Sequence, residues 1–189
     1  MISFASLFPV LVFNLFKRDG VQKYVDATVE LGHQMAENGY GLVWGASDTG
    51  LMKVIADSVS EGGSALYGVS IVEFDDIARK DLKDLIIADS LAQRKGLMLQ
   101  RADAIICLVG GTGTLDEITE IIELKKIKAH TKPIVILNTD NFYEGFKVQL
   151  ERMNDEGFLK SNLGNINGEL VHFCEYPSEA IEYINRHLK

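Results

Sequence analysis

The sequence predicts a doubly wound α/β fold: a Rossmann-like parallel sheet flanked by helices. Three observations lead there. Short β-rich runs alternate with stretches of helical periodicity along the whole chain, and such alternation implies parallel strands joined by right-handed crossovers. Only three prolines interrupt the 189 residues. No repeat, low-complexity tract or linker divides them, so a single domain over 1–189 is expected.

In chain order, strands are expected at Met1–Leu7, Gly41–Trp44, Ala65–Val72, Ala104–Val109, Pro133–Asn138 and Leu170–Cys174. Helices are expected near Val21–Asn38, Leu51–Glu61, Leu82–Arg101, Leu115–Lys128, Tyr143–Asn154 and Ser178–Leu188. In the first helix, Val21, Tyr24, Val25, Leu31 and Met35 share one apolar stripe. Thr28 lies in that stripe and can offer its methyl group to the core. The apolar run Leu7–Phe16 is ten residues long, against roughly 20 for a membrane span. Its basic pair Lys17-Arg18 follows rather than precedes it, the wrong polarity for a signal peptide. It reads as strand and loop feeding the core, and a cytoplasmic protein is expected.

A net charge of −8 argues against nucleic-acid polymers and anionic membranes, which reward dense positive charge. Cys107 and Cys174 each lie in an apolar stretch and read as reduced core residues. His33, His130, His172 and His187 are scattered without metal-ligand spacing. No metal and no redox cofactor is called for.

The most informative segment is the strand-like run Ala104–Val109, followed by Gly110-Gly111-Thr112-Gly113-Thr114 and an acidic helix start. Glycines let the backbone turn sharply and let a ligand come close. The first N–H groups of a helix lack internal partners and carry the positive end of its dipole, a ready seat for phosphate. Glu117 and Glu120 project from the first turns, three residues apart, and are expected to share a face. Acidic groups beside a phosphate seat suit a phosphorylated sugar, whose hydroxyls can donate to carboxylates. Acidic residues are also ordinary helix starters, which is the bland alternative.

A P-loop is excluded, because no Gly-Lys-Ser/Thr occurs. A dinucleotide fingerprint fails at Asp116, where its third glycine belongs. A second glycine loop, Gly45-Ala46-Ser47-Asp48-Thr49-Gly50, reads equally as a turn with an N-cap or as a ligand contact. Arg94-Lys95 alone reads as a solvated face. Its place before the strand and glycine loop makes Arg94 a candidate bidentate partner for phosphate or carboxylate.

Together these pieces resemble the LONELY GUY family of nucleotide 5′-monophosphate phosphoribohydrolases, often labelled lysine decarboxylase-like. The resemblance is carried by Arg94-Lys95, fourteen residues, then Gly110-Gly111-Thr112-Gly113-Thr114-x-x-Glu117-x-x-Glu120. Trp44-Gly45 through Gly50-Leu51-Met52, Lys132-Pro133-Ile134-Val135, Asn141-Phe142-Tyr143 and Glu156-Gly157-Phe158 extend it over nearly the whole chain. The departures are Val109 where the family has proline, Ala46-Ser47 in place of two glycines, and Leu91-Ala92 in place of Met-His. Ala5-Ser6-Leu7 stands where the family has a Cys-Gly-Ser loop.

The resemblance implies hydrolysis of a purine or cytokinin-type nucleoside 5′-monophosphate, with Glu117 as catalytic carboxylate and Arg94 as its paired cation. Lys95, Gly110, Gly111, Thr112, Gly113, Thr114, Glu120, Gly45 and Gly50 are expected at the substrate. Glu117 is expected at the helix surface, contributing little to stability, with the helix dipole favouring its ionised form. A homodimer is also implied. Ile118, Ile121, Ile122 and Leu124 cover a wide arc of the helix, as if to bury a second face against a partner. A nucleotide-binding or carrier protein of the same fold is the alternative. A true lysine decarboxylase finds no support, since no cofactor lysine with a pyridinium partner is evident.

Overall fold

The computed structural model describes residues 8–13, 22–159 and 170–188. Its elements run β1 (Phe8–Phe13), α1 (Gln22–Glu37), β2 (Tyr40–Trp44), α2 (Gly50–Glu61), β3 (Leu66–Ile71), β4 (Leu85–Ala88), α3 (Leu91–Arg101) and β5 (Ala104–Cys107). Then come α4 (Thr112–Lys126), β6 (Ile134–Leu137), α5 (Glu144–Asp155), β7 (His172–Cys174) and α6 (Pro177–Leu188). The strands form a parallel seven-stranded sheet in the order β4-β3-β2-β1-β5-β6-β7. The chain builds outward from β1 to β4, then returns to lay β5 against the other side of β1. The order thus reverses between β1 and β5, and in doubly wound sheets ligands bind beyond the strand C-termini at such a reversal.

The central strands β1, β2, β5 and β6 bury both faces, whereas Ile87 of the edge strand β4 is exposed. Val10 and Val12 of β1 pack with Leu31 and Met35 of α1, Ile55 and Val59 of α2, and Ile181 and Ile184 of α6. Leu11 and Phe13 face the other way, toward Met98 of α3, Ile118, Ile121 and Ile122 of α4, and Leu150 of α5. Thr28 is buried as expected, while its hydroxyl donates back to the Tyr24 carbonyl at 2.7 Å. Cys107 and Cys174 are buried and free. Among the described residues, no helix is long and apolar enough to cross a membrane.

Several expectations need correction. The helix placed over Leu82–Arg101 is a strand, β4, followed by a helix beginning only at Leu91. The local signal was available. Ser90 caps α3 by accepting from the Gln93 N–H, and the Gln93 side chain reaches back to the Asp89 N–H. The strand expected at Met1–Leu7 lies outside the described residues; the first described strand falls within the apolar run that follows. Of the apolar arc of α4, Ile118, Ile121 and Ile122 are buried against the sheet, while Leu124 is half-buried. His172 and His187, distant in sequence, both pack on the Tyr183 ring at 4.2 Å.

Candidate functional site

Arg94 sits in the second turn of α3 and points back over the ends of β2 and β3, 3% exposed. Three features hold it. Its Nε donates to the Val69 carbonyl at 3.0 Å. Its Nη1 donates to Glu117 Oε1 at 3.0 Å. Its Nη2 lies where a side chain on Gly45 would stand, for a Cβ there would come within 1.8 Å of it. Gly45, expected at the substrate, therefore serves as the socket for the guanidinium. Phe74 covers the group from the far side, its ring centroid 5.8 Å from Arg94 Cζ. Val69 and Phe74 were not anticipated. A backbone carbonyl leaves no trace in side-chain pattern, and Phe74 lies past the expected strand Ala65–Val72 with no motif to mark it.

Glu117 is 4% exposed, which corrects its expected surface position. Since α4 begins at Thr112 rather than Leu115, Glu117 lies in the second turn, and no acidic residue occupies the first. The helix-starter explanation does not account for a carboxylate placed there. Burial pushes the Glu117 carboxyl above the ordinary carboxylate range, and the Arg94 guanidinium pulls it back down. The dipole advantage expected for its ionised form is outweighed by that burial.

Glu120 does not join Glu117. It faces outward and pairs with Lys95, which also contacts Asp116 at 3.0 Å. Those bonds, Glu120's first, raise the Lys95 ammonium above its ordinary pKa despite partial burial. Neighbouring residues of α3 thus meet α4 as two separate pairs, one buried and one at the surface.

The glycine segment divides differently from expectation. Gly110 and Gly111 precede the helix, whereas Thr112, Gly113 and Thr114 form its first turn. Leu115 N–H donates to the Gly111 carbonyl at 3.1 Å. The amides of Thr112 and Gly113 precede that first intrahelical bond and point out of the helix start. Gly110 packs so closely on buried Thr114 that a Cβ would lie 2.2 Å from its Oγ1. The expected anion seat is thus a helix N-terminus on the element that carries Glu117.

The second glycine loop is pinned from above. Asp48 N–H donates to the Ile77 carbonyl and Arg79 N–H to the Ala46 carbonyl, both at 2.8 Å, and Ser47 bridges to Ala78. Thr49 holds the N-cap position of α2 without a side-chain capping bond; its hydroxyl meets Ser47 Oγ at 2.9 Å instead. Gly50 opens α2 at φ 56°, a backbone role. Ala46, where the family has glycine, sits at φ 58° in the left-handed region. Between this loop and Arg94 lies a cavity of ≈ 120 Å³ lined by Gly45, Ser47, Met52, Ser70, Phe74 and Ile77 among others. Ala5-Ser6-Leu7 lies outside the described residues.

With this geometry, comparisons with known proteins acquire meaning. Residues 52–184 match the family model described as "possible lysine decarboxylase". A cytokinin riboside 5′-monophosphate phosphoribohydrolase of Arabidopsis thaliana is 32% identical over 166 residues, covering 87% of this chain and 78% of that protein. Another, from Oryza sativa subsp. japonica, is 34% identical over 146 residues, covering 76% and 60%. Among solved structures, the molybdenum cofactor carrier protein of Chlamydomonas reinhardtii superposes with a TM-score of 0.72 at 21% identity, covering 95% of this chain and 97% of its own. The molybdenum cofactor binding protein of Rippkaea orientalis gives 0.72 at 17% identity, covering 96% and 97%. These structures share the fold. The matched span holds Arg94, Lys95, the glycine loop, Glu117 and Glu120, and on that span the chain belongs to the LONELY GUY, or "possible lysine decarboxylase", family.

Proposed function

We propose that the chain hydrolyses the N-glycosidic bond of a purine or cytokinin-type nucleoside 5′-monophosphate, yielding free base and ribose 5-phosphate. One observation carries this reading: a buried arginine–carboxylate pair joins α3 to α4, and its carboxylate stands on the helix whose N-terminus offers an anion seat. The 5′-phosphate would dock at Gly110–Thr114, with Lys95 adding positive charge nearby. As the bond from C1′ to the base nitrogen lengthens, positive charge grows on the sugar. Carboxylate Glu117 stabilises that charge, as acidic groups do in glycosidases. Water then gives its hydroxyl to C1′ and a proton to the departing base. The raised proton affinity of Glu117 suits it to accept that proton in passing. Arg94 stays charged throughout and orients the carboxylate. Free, buried Cys107 and Cys174 agree with a reducing, cytoplasmic setting.

The homodimer implied by the family stays part of this reading. Light scattering at micromolar concentration should give twice the chain mass; a monomer alone would refute it.

A second reading, nucleotide binding without hydrolysis, is favoured by the near-complete burial of Arg94 and Glu117 beneath the pinned Ala46–Asp48 loop. A panel of nucleoside monophosphates, assayed with a chelator present for free base and ribose 5-phosphate, separates the two. Base release supports the hydrolase, and tight binding with no release supports the carrier.

A further inference from the structure

The turn after β6 is absorbed by neither the pair nor the anion seat, yet it reaches both sides of the crevice. Asn138 Oδ1 accepts from the Tyr143 N–H at 2.6 Å, closing a turn in which Asp140 and Asn141 adopt left-handed φ of 55° and 56°. On one side, Asp140 pairs with Lys23, and Phe142 meets Tyr24 edge-on at 5.7 Å. Both partners belong to the opening turn of α1. On the other side, Tyr143 is 3% exposed, and its hydroxyl donates to the Leu108 carbonyl at 2.8 Å. The Gly110 backbone engages the same hydroxyl.

Leu108 is the first residue past β5. Its N–H still pairs with the Phe13 carbonyl of β1 at 3.1 Å, but its own carbonyl has left the ladder. A buried carbonyl needs a partner; the Tyr143 hydroxyl is the strong one at 2.8 Å, beside a weaker contact from the Cys107 thiol at 3.5 Å. Two residues later come Gly110 and Gly111, which have little conformational preference of their own. The orientation of the α4 N-terminus therefore depends on how the last peptide before the glycines is held.

We propose that Tyr143 is a positioning residue for the anion seat: its hydroxyl fixes the Leu108 carbonyl and thereby aims the Gly110–Gly113 backbone at the 5′-phosphate. This rests on the reading of that backbone as the phosphate site. Tyr143 touches no reacting atom. Its removal should weaken the phosphate grip and leave the Arg94–Glu117 chemistry alone.

The test uses the whole chain, inorganic phosphate as the binding probe, and a purine nucleoside with and without its 5′-phosphate. Tyr143→Phe keeps the ring and removes the hydroxyl. Leaving a buried carbonyl with only a weak thiol donor is worth about a tenfold change at most. Phosphate affinity should fall by about that factor and KM for the monophosphate rise to match, with kcat within about twofold. Slow cleavage of the unphosphorylated nucleoside should not change. Wild-type phosphate affinity in the variant, or equal losses on both substrates, overturns the role of Tyr143 alone. Wild type that binds no phosphate overturns the anion seat as well. Should the variant fail to fold, Asn138→Ser, which loosens the same tyrosine from its backbone side, must show the same split; unchanged KM there also overturns the proposal.

Discussion

Replacing Gly45 by alanine tests how Arg94 is held. The new Cβ would stand 1.8 Å from Nη2 and 3.0 Å from Cζ. Contacts closer than 3.0 Å essentially never occur, so the nitrogen must retreat by more than about 1 Å. A free arginine would simply swing aside. This one is tied to the Val69 carbonyl and to Glu117, each at 3.0 Å, and is nearly sealed from water. Moving it breaks the pair with Glu117. Parting a buried pair commonly costs about 3–5 kcal/mol, and the lower end applies while the Val69 bond survives. At about 2–4 °C per kcal/mol for a chain of this size, the melting temperature should drop by about 6–12 °C. Base release should fall by about 10² to 10³, the usual penalty for misplacing one preorganised charged group. Gly96→Ala is the control. It lies in the same helix with nothing within 4 Å of its would-be Cβ, and should gain about 0.5–1 kcal/mol. A Gly45→Ala protein that melts within about 2 °C of wild type and turns over normally would refute the socket.

Glu117→Gln keeps the side-chain shape; turnover should fall by about 10² to 10³, with phosphate affinity measured by calorimetry within about twofold of wild type. Normal turnover would remove Glu117 from the chemistry. Glu117 should titrate above the ordinary carboxylate range by carboxyl NMR, and Arg94→Gln, which removes the charge that lowers it, should push it higher still. A downward shift in that variant contradicts the pairing. Because the folded protein holds this proton more tightly than the unfolded chain, the group favours folding below the ordinary glutamate pKa. That contribution is lost as pH rises through the elevated folded value. Ala46→Gly relieves a left-handed alanine at φ 58°. The gain should lie between zero and about 1 kcal/mol, strain relief less the entropy of a freer unfolded chain, and destabilisation in a denaturant melt would show the strain to be illusory.

Gly110 and Gly111 marked the crevice in the sequence because a strand, a tight turn and a helix start leave a local signature. Arg94 and Glu117 stood out through their spacing to that signature. Their burial did not, since it depends on β2 and β3 being brought beneath α3, which no local pattern encodes. Gly45 stood out as part of a loop that read equally as turn or ligand contact; its lack of a side chain also admits Arg94, a packing role that no local pattern shows. Leu85–Ala88 merged with the next helix because Leu-Ile-Ile-Ala suits a buried helix as well as a strand. Ser90 and Gln93 were the punctuation that could have separated them. Glu120 turns to solvent while Glu117 is buried, because residues three apart on a helix still differ in direction by about 60°.

The outward-then-back order of the sheet bears on how this protein is made. A ribosome releases β1 through α3 before α4 exists, so Arg94 arrives with Gly45 and Val69 in place and its counter-charge still unsynthesised. Closing that half early would strand a guanidinium in a dry interior. The unpaired charge is therefore expected to disfavour closure of the nascent half until Glu117 emerges. A fragment ending at Gly110 should stay protease-sensitive, and an Arg94→Met version of the same fragment should resist better; equal digestion of the two would show that the unpaired charge imposes no delay.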